Sequence, residues 1–371
     1  MPKQVKLRRG TTAQHASFTG AAGEITVDTT KKTVVVHDGA TAGGFPLAPE
    51  TALLVKAAGV VLVDPVNGND ATGQRCRLQA PFATLTGAKT AAQSGDTIMV
   101  LPGTYNEKNL AKNGVNWFFL KGAVVNYQGL AAGGIFDTSL VGSYCVFSVR
   151  GQGEFYNMDG PMGTPIIKCA YGGDMLDIEC DLIEASGPAV DTVGTVSLRC
   201  RDMMSDFGSA VVIGGSGNLV LVAQTIIGAE GYAIDMAAGK ADVTAKTIMS
   251  TGGKAIRFTG GTMDLMAQEV KSVADAALEY NSAASALCRI RHTRLVSTAG
   301  GGVGKAVVVT SGSGNLRLVA CALVGQAPAT VSIDATAATN VVLYGECTAN
   351  LAQGANVTLV GSALTVNSSL T

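Results

Sequence analysis

Residues 221–226 read LVAQTI and residues 243–248 read VTAKTI, and this apolar-x-small-x-x-apolar pattern recurs along the second half of the chain. Successive copies are about 22 residues apart, a period typical of solenoid repeats. Within each copy apolar and polar residues alternate, so one row of side chains faces inward and the other outward. The copies are Ile178/Cys180/Ile183, Leu198/Cys200/Met203, Leu221/Ala223/Ile226, Val243/Ala245/Ile248, Leu265/Ala267/Val270, Ile290/His292/Leu295, Leu318/Ala320/Leu323 and Leu343/Gly345/Thr348.

A second marker has the same period. An alanine precedes an apolar strand residue in each copy, and its spacing lengthens where that of the first marker lengthens. The two markers together predict stacked coils of a parallel β-helix, with equivalent residues about 4.8 Å apart along the axis. A seven- or eight-stranded sandwich would instead give turn signals every 8 to 12 residues or so without this period. The alanines are Ala189, Ala210, Ala233, Ala255, Ala277, Ala306 and Ala329.

Composition limits the function classes. Apolar residues make up 47% of the chain, charged residues 15%, and the formal net charge is −1. We therefore expect an ordered protein that binds neither nucleic acid nor an anionic membrane. No apolar run reaches the length of a membrane span, and Met1–Arg9 is too polar for a signal peptide. The eight cysteines form no C-x-x-C pair, which predicts buried free thiols rather than a metal site, and we expect no cofactor.

Residues 1–48 differ from the repeat in their pattern of apolar and polar residues. Residues 23–28 alternate apolar and polar side chains, as a half-buried strand does, and residues 34–39 form a second short strand that ends in a glycine turn. A unit of about fifty residues with two or three short strands buries little core. We therefore expect this unit to need partner chains.

These residues also carry a resemblance to a known family. The runs Arg8-x-Gly10-Thr11-Thr12-Ala13-Gln14-His15, Phe18 to Ala22, Glu24 to Asp28 and Thr33 to Ala48 resemble the N-terminal domain of phage major tropism determinants. The resemblance implies a trimeric, β-prism-like attachment domain over 1–48 that docks on other virion proteins. It implies no receptor specificity, because the C-type lectin domain of those proteins has no counterpart that we recognise here. The attachment residues that it implies are Arg8, Arg9, Gly10, His37, Asp38 and Phe45.

Residues 49–60 are predicted to be a linker or short helix, and residues 61–371 the β-helix. Its first part, 61–105, has the order strand, amphipathic helix, turn, strand, with the helix predicted over 86–92. We expect that helix to cover the apolar end of the coils. Val63-Asp64-x-x-x-Gly68-Asn69-Asp70, Pro81-Phe82-x-Thr84-Leu85, Gly95-Asp96-Thr97-Ile98 and Pro102-Gly103-Thr104-Tyr105 resemble the capping segment of pectin-lyase-like proteins. That resemblance implies a right-handed, single-stranded parallel β-helix and leaves activity open.

The only dense acidic face consists of Asp177, Glu179 and Asp181. Carboxylates on the outside of a β-helix serve as acids or calcium ligands in polysaccharide-degrading enzymes. The repeat, however, places Glu179 beside Arg199 and Asp181 beside Arg201, which favours a ladder of exposed ion pairs. Asp242, Asp264 and Arg289 fall in a similar column.

Aromatic residues cluster at 126–175, where the period is broken. Exposed rings there are candidates for stacking on sugars, whereas buried rings would fill wide coils or a contact between subunits. His292 falls at an inward small-residue position, which predicts a packed core histidine. The candidate ligand-binding residues are Tyr127, Tyr144, Phe155, Tyr156 and Tyr171.

The sequence therefore predicts an all-β structural spike or fibre of a phage virion, made in the host cytoplasm and trimeric. Its N-terminal domain would anchor it to tail, baseplate or collar proteins, and its β-helix would be a rigid shaft without enzymatic activity. After Leu343 we expect room for a last coil but not for a separate receptor-binding head. Two alternatives remain open: a receptor-binding tailspike whose partner is host surface polysaccharide, and a polysaccharide lyase or hydrolase.

Overall fold

The computed structural model describes residues 7–47, 59–128, 133–158, 164–282, 286–299, 304–312, 315–325, 333–334, 341–344, 348–350, 357–360 and 365–367. The chain divides into two compact units. The first is Met1–Ala58 with Cys76–Ala80, and the second is Gly59–Arg75 with Pro81–Thr371. Most of the predicted linker, 49–58, lies outside the described residues, as do Ala329 and Gly345 of the two repeat markers.

The first unit is a four-stranded sheet with one short helix. Strand β1 pairs in parallel with β2, and β2, β3 and β4 pair in antiparallel order. Helix α1 begins with a capping box, in which Thr11 accepts from the Gln14 amide and Gln14 accepts from the Thr11 amide. The elements are β1 (Arg8–Gly10), α1 (Thr12–His15), β2 (Ile25–Asp28), β3 (Thr33–Val36) and β4 (Phe45–Pro46).

The second unit is almost entirely parallel β structure. It contains one α-helix, α2 (Leu85–Ala91), and a short 3-10 helix, Thr138–Leu140, among the described residues. Its strands are β5 (Val60–Val63), β6 (Thr97–Val100), β7 (Gly103–Tyr105), β8 (Asn116–Phe119), β9 (Ala123–Asn126), β10 (Phe136–Asp137), β11 (Val146–Gly151), β12 (Glu154–Asn157), β13 (Ile167–Cys169), β14 (Met175–Glu179), β15 (Leu182–Ala185), β16 (Val190–Thr192), β17 (Thr195–Ser205), β18 (Val211–Ile213), β19 (Asn218–Gly228), β20 (Ile234–Met236), β21 (Lys240–Ser250), β22 (Ile256–Phe258), β23 (Thr262–Ser272), β24 (Leu278–Ser282), β25 (Leu287–Arg291), β26 (Arg294–Ser297), β27 (Val307–Gly312), β28 (Asn315–Val319), β29 (Ala322–Val324), β30 (Ile333–Asp334), β31 (Val341–Tyr344), β32 (Thr348–Asn350), β33 (Val357–Val360) and β34 (Thr365–Asn367).

The predicted repeat is confirmed as stacked coils. Each strand pairs in parallel with the equivalent strand of the next coil, in a nine-stranded sheet of short strands and a 21-stranded sheet. Every alanine of the second marker that the structure describes is fully buried just before a strand of the nine-stranded sheet. In the other sheet, Leu198 pairs with Leu221 and Leu221 with Val243, all fully buried. The inward rows therefore form one continuous core.

The long strands β17, β19, β21 and β23 each run through a corner. In β17 we call Thr195–Cys200 the first leg and Asp202–Ser205 the second leg, and we use these names for the equivalent residues of the other coils. The inward residue that ends the second leg is a serine in most central coils. Each serine hydroxyl donates to a backbone carbonyl at the turn that follows the previous coil's second leg: Ser205 to Gly187, Ser250 to Gly231, Ser272 to Gly253 and Ser297 to Asp275.

The prediction for His292 is wrong. His292 has a left-handed backbone, with φ of 49°, and its side chain is exposed. The following residue, Thr293, takes the inward position and is 2% exposed. Its hydroxyl accepts from the Ala267 amide and donates to the Arg291 carbonyl. The corner is thus turned one residue later than in the preceding coils, and a hydroxyl rather than an imidazole fills the core.

The first coils are filled by aromatic rings. Phe136, Phe147 and Phe155 are buried together with Trp117 and Phe119. Ring centroids in this cluster lie 5.1–6.4 Å apart, mostly in edge-to-face geometry. Much of the aromatic signal at 126–175 therefore comes from core packing.

The predicted capping helix is present as α2, one residue earlier at each end, and it packs against β5 and β6 with Leu85 and Ala88 buried. Carboxylates fix the surrounding turns. Asp70 accepts hydrogen bonds from the amides of Ala83 and Thr84, and Glu107 accepts from the amides of Leu85 and Thr86. The start of α2 is therefore held by two acidic side chains.

The described cysteines are free thiols, as predicted, and Cys347 lies outside the described residues. Six of the seven are buried, and Cys76 is partly exposed. Burial raises the pKa of Cys145 to about 11 and that of Cys200 to about 12. These thiols are therefore core residues, held in their protonated form at neutral pH.

Candidate functional site

One face of the N-terminal sheet is covered, and the side chains buried against it are mostly polar. Thr26, fully buried in the centre of β2, lies between two buried histidines. Its hydroxyl oxygen is 2.8 Å from Nε2 of His15 and 2.9 Å from Nε2 of His37. Val35 is the only buried apolar residue within 7–47. Hydrogen bonds therefore hold together a unit whose apolar core is very small.

The hydrogen bonds fix both histidine tautomers. The Gly20 amide donates to Nδ1 of His37, so the ring proton is on Nε2 and is donated to Thr26. Nδ1 of His15 lies 3.0 Å from the Thr11 carbonyl, which only accepts, so Nδ1 carries the proton there. The Thr26 hydroxyl then donates to Nε2 of His15. Every polar atom of the three side chains has a partner in this chain of hydrogen bonds.

Two glycines confine the His37 ring. A Cβ atom at Gly20 would lie 2.5 Å from Cγ of His37, and one at Gly44 would lie 2.7 Å from Nδ1. Phe18 packs edge-on against the ring, with centroids 5.2 Å apart. The imidazole is thus a fixed part of the interior.

The opposite face of this sheet is apolar and bare. Ile25 pairs with Val36 and Val36 with Phe45, so three apolar side chains cross the sheet in one row. Val27 pairs with Val34 in the adjacent row. Ile25 is 45% exposed and Phe45 55%. In the single chain the polar side of the sheet is therefore covered and the apolar side faces outward. We call the latter the bare face.

The predicted attachment residues fall into separate places. Arg8 lies on the covered side, paired with Glu24 at 3.0 Å and stacked over Phe18 at 4.9 Å. Arg8, Arg9 and Gly10 line a cavity of about 230 Å³ together with Gln14, His15, Phe18 and Thr26. Arg9 is level with Val27 at the edge of the bare face.

Of the remaining attachment residues, Phe45 lies on the bare face and Asp38 in an exposed turn. The prediction for His37 as a contact residue is wrong, because its ring is buried and only 2% exposed. The carboxylate of Asp38 accepts hydrogen bonds from the Thr41 amide, the Ala40 amide and the Thr41 hydroxyl. These bonds lower the pKa of Asp38 to about 2.

Arginines of neighbouring coils lie against the acidic candidates of the second unit. Asp177 forms a two-pronged pair with Arg150, and Asp181 lies 2.9 Å from Arg201. Glu179 is level with Arg199, as predicted. Asp242, Asp264 and Arg289 form the predicted column, in which Arg289 and Arg291 both bind Asp264. This arrangement has the form of a surface ion-pair ladder, in which Asp177 and Asp181 each bind an arginine.

The aromatic candidates differ in exposure. The prediction for Phe155 as a ligand-binding residue is wrong, because its ring lies at 0% exposure in the core. Tyr127 packs against the core under the Lys108 ammonium, 4.7 Å from the ring centroid. Tyr156 donates to Glu154, and burial together with that bond raises its pKa to about 12. Tyr171 is half-buried, with its hydroxyl 3.4 Å from the Ser139 carbonyl.

Tyr144 is the exposed member of the set, at 66%. A Cβ atom at Gly173 would lie 2.6–2.8 Å from the Tyr144 ring, so the ring rests on the Gly173 backbone. Val146 and Met175 follow in register and are 48% and 57% exposed. This group offers one aromatic surface beside two apolar side chains, and we call it the Tyr144 patch.

The sequence analysis did not predict the hydrogen bonds that join His15, Thr26 and His37. A signal was available, because Thr26 and His15 stand where an apolar core would place aliphatic side chains. No helix within the described ranges is long and apolar enough to cross a membrane. The described His, Cys, Asp and Glu side chains also form no group of three that could hold a metal ion.

Comparison with known proteins concerns the first unit. Residues 5–41 match the family described as Major tropism determinant N-terminal domain. The N-terminal segment of this chain resembles that of a phage tail fibre protein. Over 58 residues it is 72% identical to the tail fiber receptor-binding protein of Bordetella phage BPP-1, covering 16% of this chain and 15% of that protein. The predicted resemblance is therefore confirmed for this segment.

Solved structures agree with that match in sequence. The M1 and I1 variants of the Major Tropism Determinant are each 74% identical over 14% of this chain and 14% of their own, with a TM-score of 0.13. This chain thus corresponds to a small part of its relatives' length.

Proposed function

We propose that the protein is a component of a phage virion, a trimeric fibre or spike attached to the particle through residues 1–48. The bare face carries this proposal, because it belongs to a sheet whose sequence is closely similar to a phage tail fibre. Isolated monomers rarely expose a continuous apolar surface of this kind, which marks an interface. Docking on tail, baseplate or collar proteins would use the surface around Arg8 and the exposed turn at Asp38.

Two further copies of this chain fit the bare face. It presents Ile25, Val27, Val34, Val36 and Phe45, and Arg9, level with Val27, lies at its edge. Identical apolar sheets can pack face to face around a threefold axis without bringing like charges together. Such packing would produce a β-prism-like domain and supply the apolar core that one copy lacks.

The coils would form the shaft of this fibre. Their parallel strands are joined by crossovers, and such connections are right-handed in nearly all proteins, which supports a right-handed β-helix. Every central coil buries its inward row and exposes a mixed polar surface. A stack of this kind is stiff, since each coil is bonded along its length to the next.

Light scattering of the full chain tests the assembly. We expect the mass of a trimer for the natural protein. For the double variant Ile25→Asp/Val36→Asp we expect a lower mass, because the N-terminal contact is lost. Ala13→Asp, on the exposed surface of α1, is the matched control and leaves the mass unchanged. A natural protein that is monomeric at micromolar concentration would contradict the proposal. Mass spectrometry of purified particles of the encoding phage tests the location.

The Tyr144 patch favours a second function, binding of host surface polysaccharide. One ring face rests on Gly173 and the ring is otherwise open, a geometry that suits stacking on the apolar face of a pyranose. We expect the purified protein to be retained on host cells or on their extracted polysaccharide, and Tyr144→Ala to abolish retention. Phe207→Ala, which removes another exposed ring, is the control. Retention that survives Tyr144→Ala contradicts this role, and release of reducing or unsaturated sugar ends would instead favour the lyase or hydrolase alternative.

A further inference from the structure

The three outward surfaces of the coils differ in charge. The nine-stranded sheet exposes a single column of residues, in which Asp235 forms a two-pronged pair with Arg257 and Lys305 binds Asp334. Most positions in that column are charged. In register order it consists of Lys168, Asp191, Val212, Asp235, Arg257, Glu279, Val308 and Asp334.

The first-leg surface is charged as well. Its outward columns include Asp264 with its two arginine partners, and Asp177 with Arg150. Apolar residues on this surface are interrupted along the columns: Val220 lies between Ser197 and Asp242, and Val222 between Arg199 and Thr244. Met266 lies between Thr244 and Arg291, so no two apolar residues are adjacent in this part of the columns. One column consists of Asp177, Ser197, Val220, Asp242, Asp264, Arg289 and Arg317.

The second-leg surface carries the apolar column. Its outward residues alternate with the fully buried Met203, Ile226 and Ile248, which assigns them to the outside. Met204, Ile227, Met249 and Lys271 are half-buried and Val324 is 37% exposed, whereas Val296 is only 5% exposed. In register order the column consists of Met204, Ile227, Met249, Lys271, Val296 and Val324, and Glu184 precedes it in the coil before. The other outward column of the same leg, nearer the corner, is polar and consists of Asp202, Thr225, Thr247, Glu269 and Arg294.

Threefold symmetry decides between these surfaces. When three copies lie side by side and parallel, each coil meets the same coil of its neighbours, so side chains near the axis meet copies of themselves. A charged column at the axis would bring like charges together in the interior of the contact, which is unfavourable. An apolar column has no such cost and gains from burial.

We infer that the second-leg surface, Met204 to Val324, is the face by which the shafts of three copies of this chain pack together. The inference rests on the trimer proposed above and adds the contact surface that the shaft uses. It leaves the first-leg surface, with the Tyr144 patch, on the outside of the assembly.

Cysteine cross-linking of the full chain tests this face. Met249→Cys places a thiol in the apolar column, and Val220→Cys places one on the first leg, where the side chain is 44% exposed. After copper-phenanthroline oxidation we expect disulfide-linked pairs for Met249→Cys on a non-reducing gel and none for Val220→Cys. The unchanged chain gives the background from its natural cysteines.

The outcomes separate the two proposals. Cross-linking at 220 and not at 249, or at neither position in a protein that light scattering shows to be trimeric, overturns the face assignment and leaves the trimer standing. A monomeric natural protein overturns the trimer and the face assignment together.

Lys271 gives a second test with a defined sign. It is the one charged side chain between Met204 and Val324 in the column, so Lys271→Met removes a like-charge contact between copies. We expect the melting temperature of the trimer to rise by about 2–4 °C. Lys246→Met, which makes the same change at the exposed corner residue between the two legs of β21, should leave it unchanged. Equal shifts for the two variants, or a fall for Lys271→Met alone, contradict the assignment.

Discussion

At the scale of single residues, the N-terminal unit depends on Gly20. Its missing side chain makes room for the His37 ring and lets its amide donate to Nδ1. A methyl group there would meet ring atoms at 2.5–2.9 Å, which the neighbouring Phe18 and Gly44 leave no space to relieve.

We therefore expect Gly20→Ala to destabilise the N-terminal unit by about 1–3 kcal/mol, the usual cost of overpacking. The measurement is hydrogen exchange of the amides of β2 and β3 by mass spectrometry in the full chain. Ala22→Ser, at an exposed position nearby, is the control. Unchanged exchange in Gly20→Ala would show that the His37 ring is not confined as described.

Asp38 makes a pH-dependent contribution at the same scale. Its pKa is lowered to about 2 from 3.8 by hydrogen bonds from Thr41 and Ala40, so the folded turn favours the carboxylate. This stabilisation is complete above pH 4 or so and is lost as the pH falls through the folded pKa.

We expect the amide resonances of Ala40 and Thr41 to titrate with a midpoint near the low pKa of Asp38. Asp38→Asn removes the titrating group, and its amide resonances should not shift over this range. A midpoint at the ordinary aspartate value would mean that the three hydrogen bonds do not form in solution.

At the scale of elements, the corners are held by serine hydroxyls. Ser250 donates to the Gly231 carbonyl at 2.7 Å and accepts from the Gly253 amide at 3.0 Å. Ser205, Ser272 and Ser297 make the corresponding donation in their own coils. The side chain thus connects its own turn with that of the preceding coil.

Ser250→Ala should destabilise its coil by about 1–3 kcal/mol, because it leaves the half-buried Gly253 amide and Gly231 carbonyl without their partner. Urea denaturation followed by hydrogen exchange of β21 measures the change. Lys246→Ala, on the outer surface of the same strand, is the matched control. If the two variants have equal stability, the hydroxyl does not hold the corner.

At the scale of the whole molecule, the coils should unfold as a coupled stack. Ile248 is fully buried in a central coil and lies between Ile226 and Val270 of the adjacent coils. In a solenoid, stability is a sum of repeat and neighbour contributions, so a defect in one coil weakens those beside it.

We expect Ile248→Ala to cost about 2–5 kcal/mol and to reduce hydrogen-exchange protection most in β19, β21 and β23. Protection of β2 and β3 in the N-terminal unit should not change, which provides an internal control. Equal loss of protection in both units would instead indicate that they unfold as one cooperative body.

Much of the fold could be predicted from the sequence, because a stack of coils repeats one packing requirement. Leu198, Leu221 and Val243 must each fill the same inward position, so similar residues recur in the sequence with the period of the coils. His292 and Phe155 show where this reasoning fails. A left-handed residue shifts the corner by one position at His292, and Phe155 takes an inward position of β12, level with Val125 and Ile183. The spacing of apolar residues encodes neither the local backbone conformation nor, where the period is broken, which of two adjacent rings faces inward.

The sequence by itself therefore determined the parallel coils, their register and the resemblance of residues 1–48 to a phage domain, since these depend on local alternation and repetition. Only the tertiary structure decided which face of the N-terminal sheet is covered. Alternation in β2 shows that Ile25 and Val27 share one face and that Thr26 and Asp28 share the other. It does not show that α1 and His37 cover the polar face and leave the apolar one bare. Coverage depends on where distant segments and other copies come to lie, which is a property of the assembled fold.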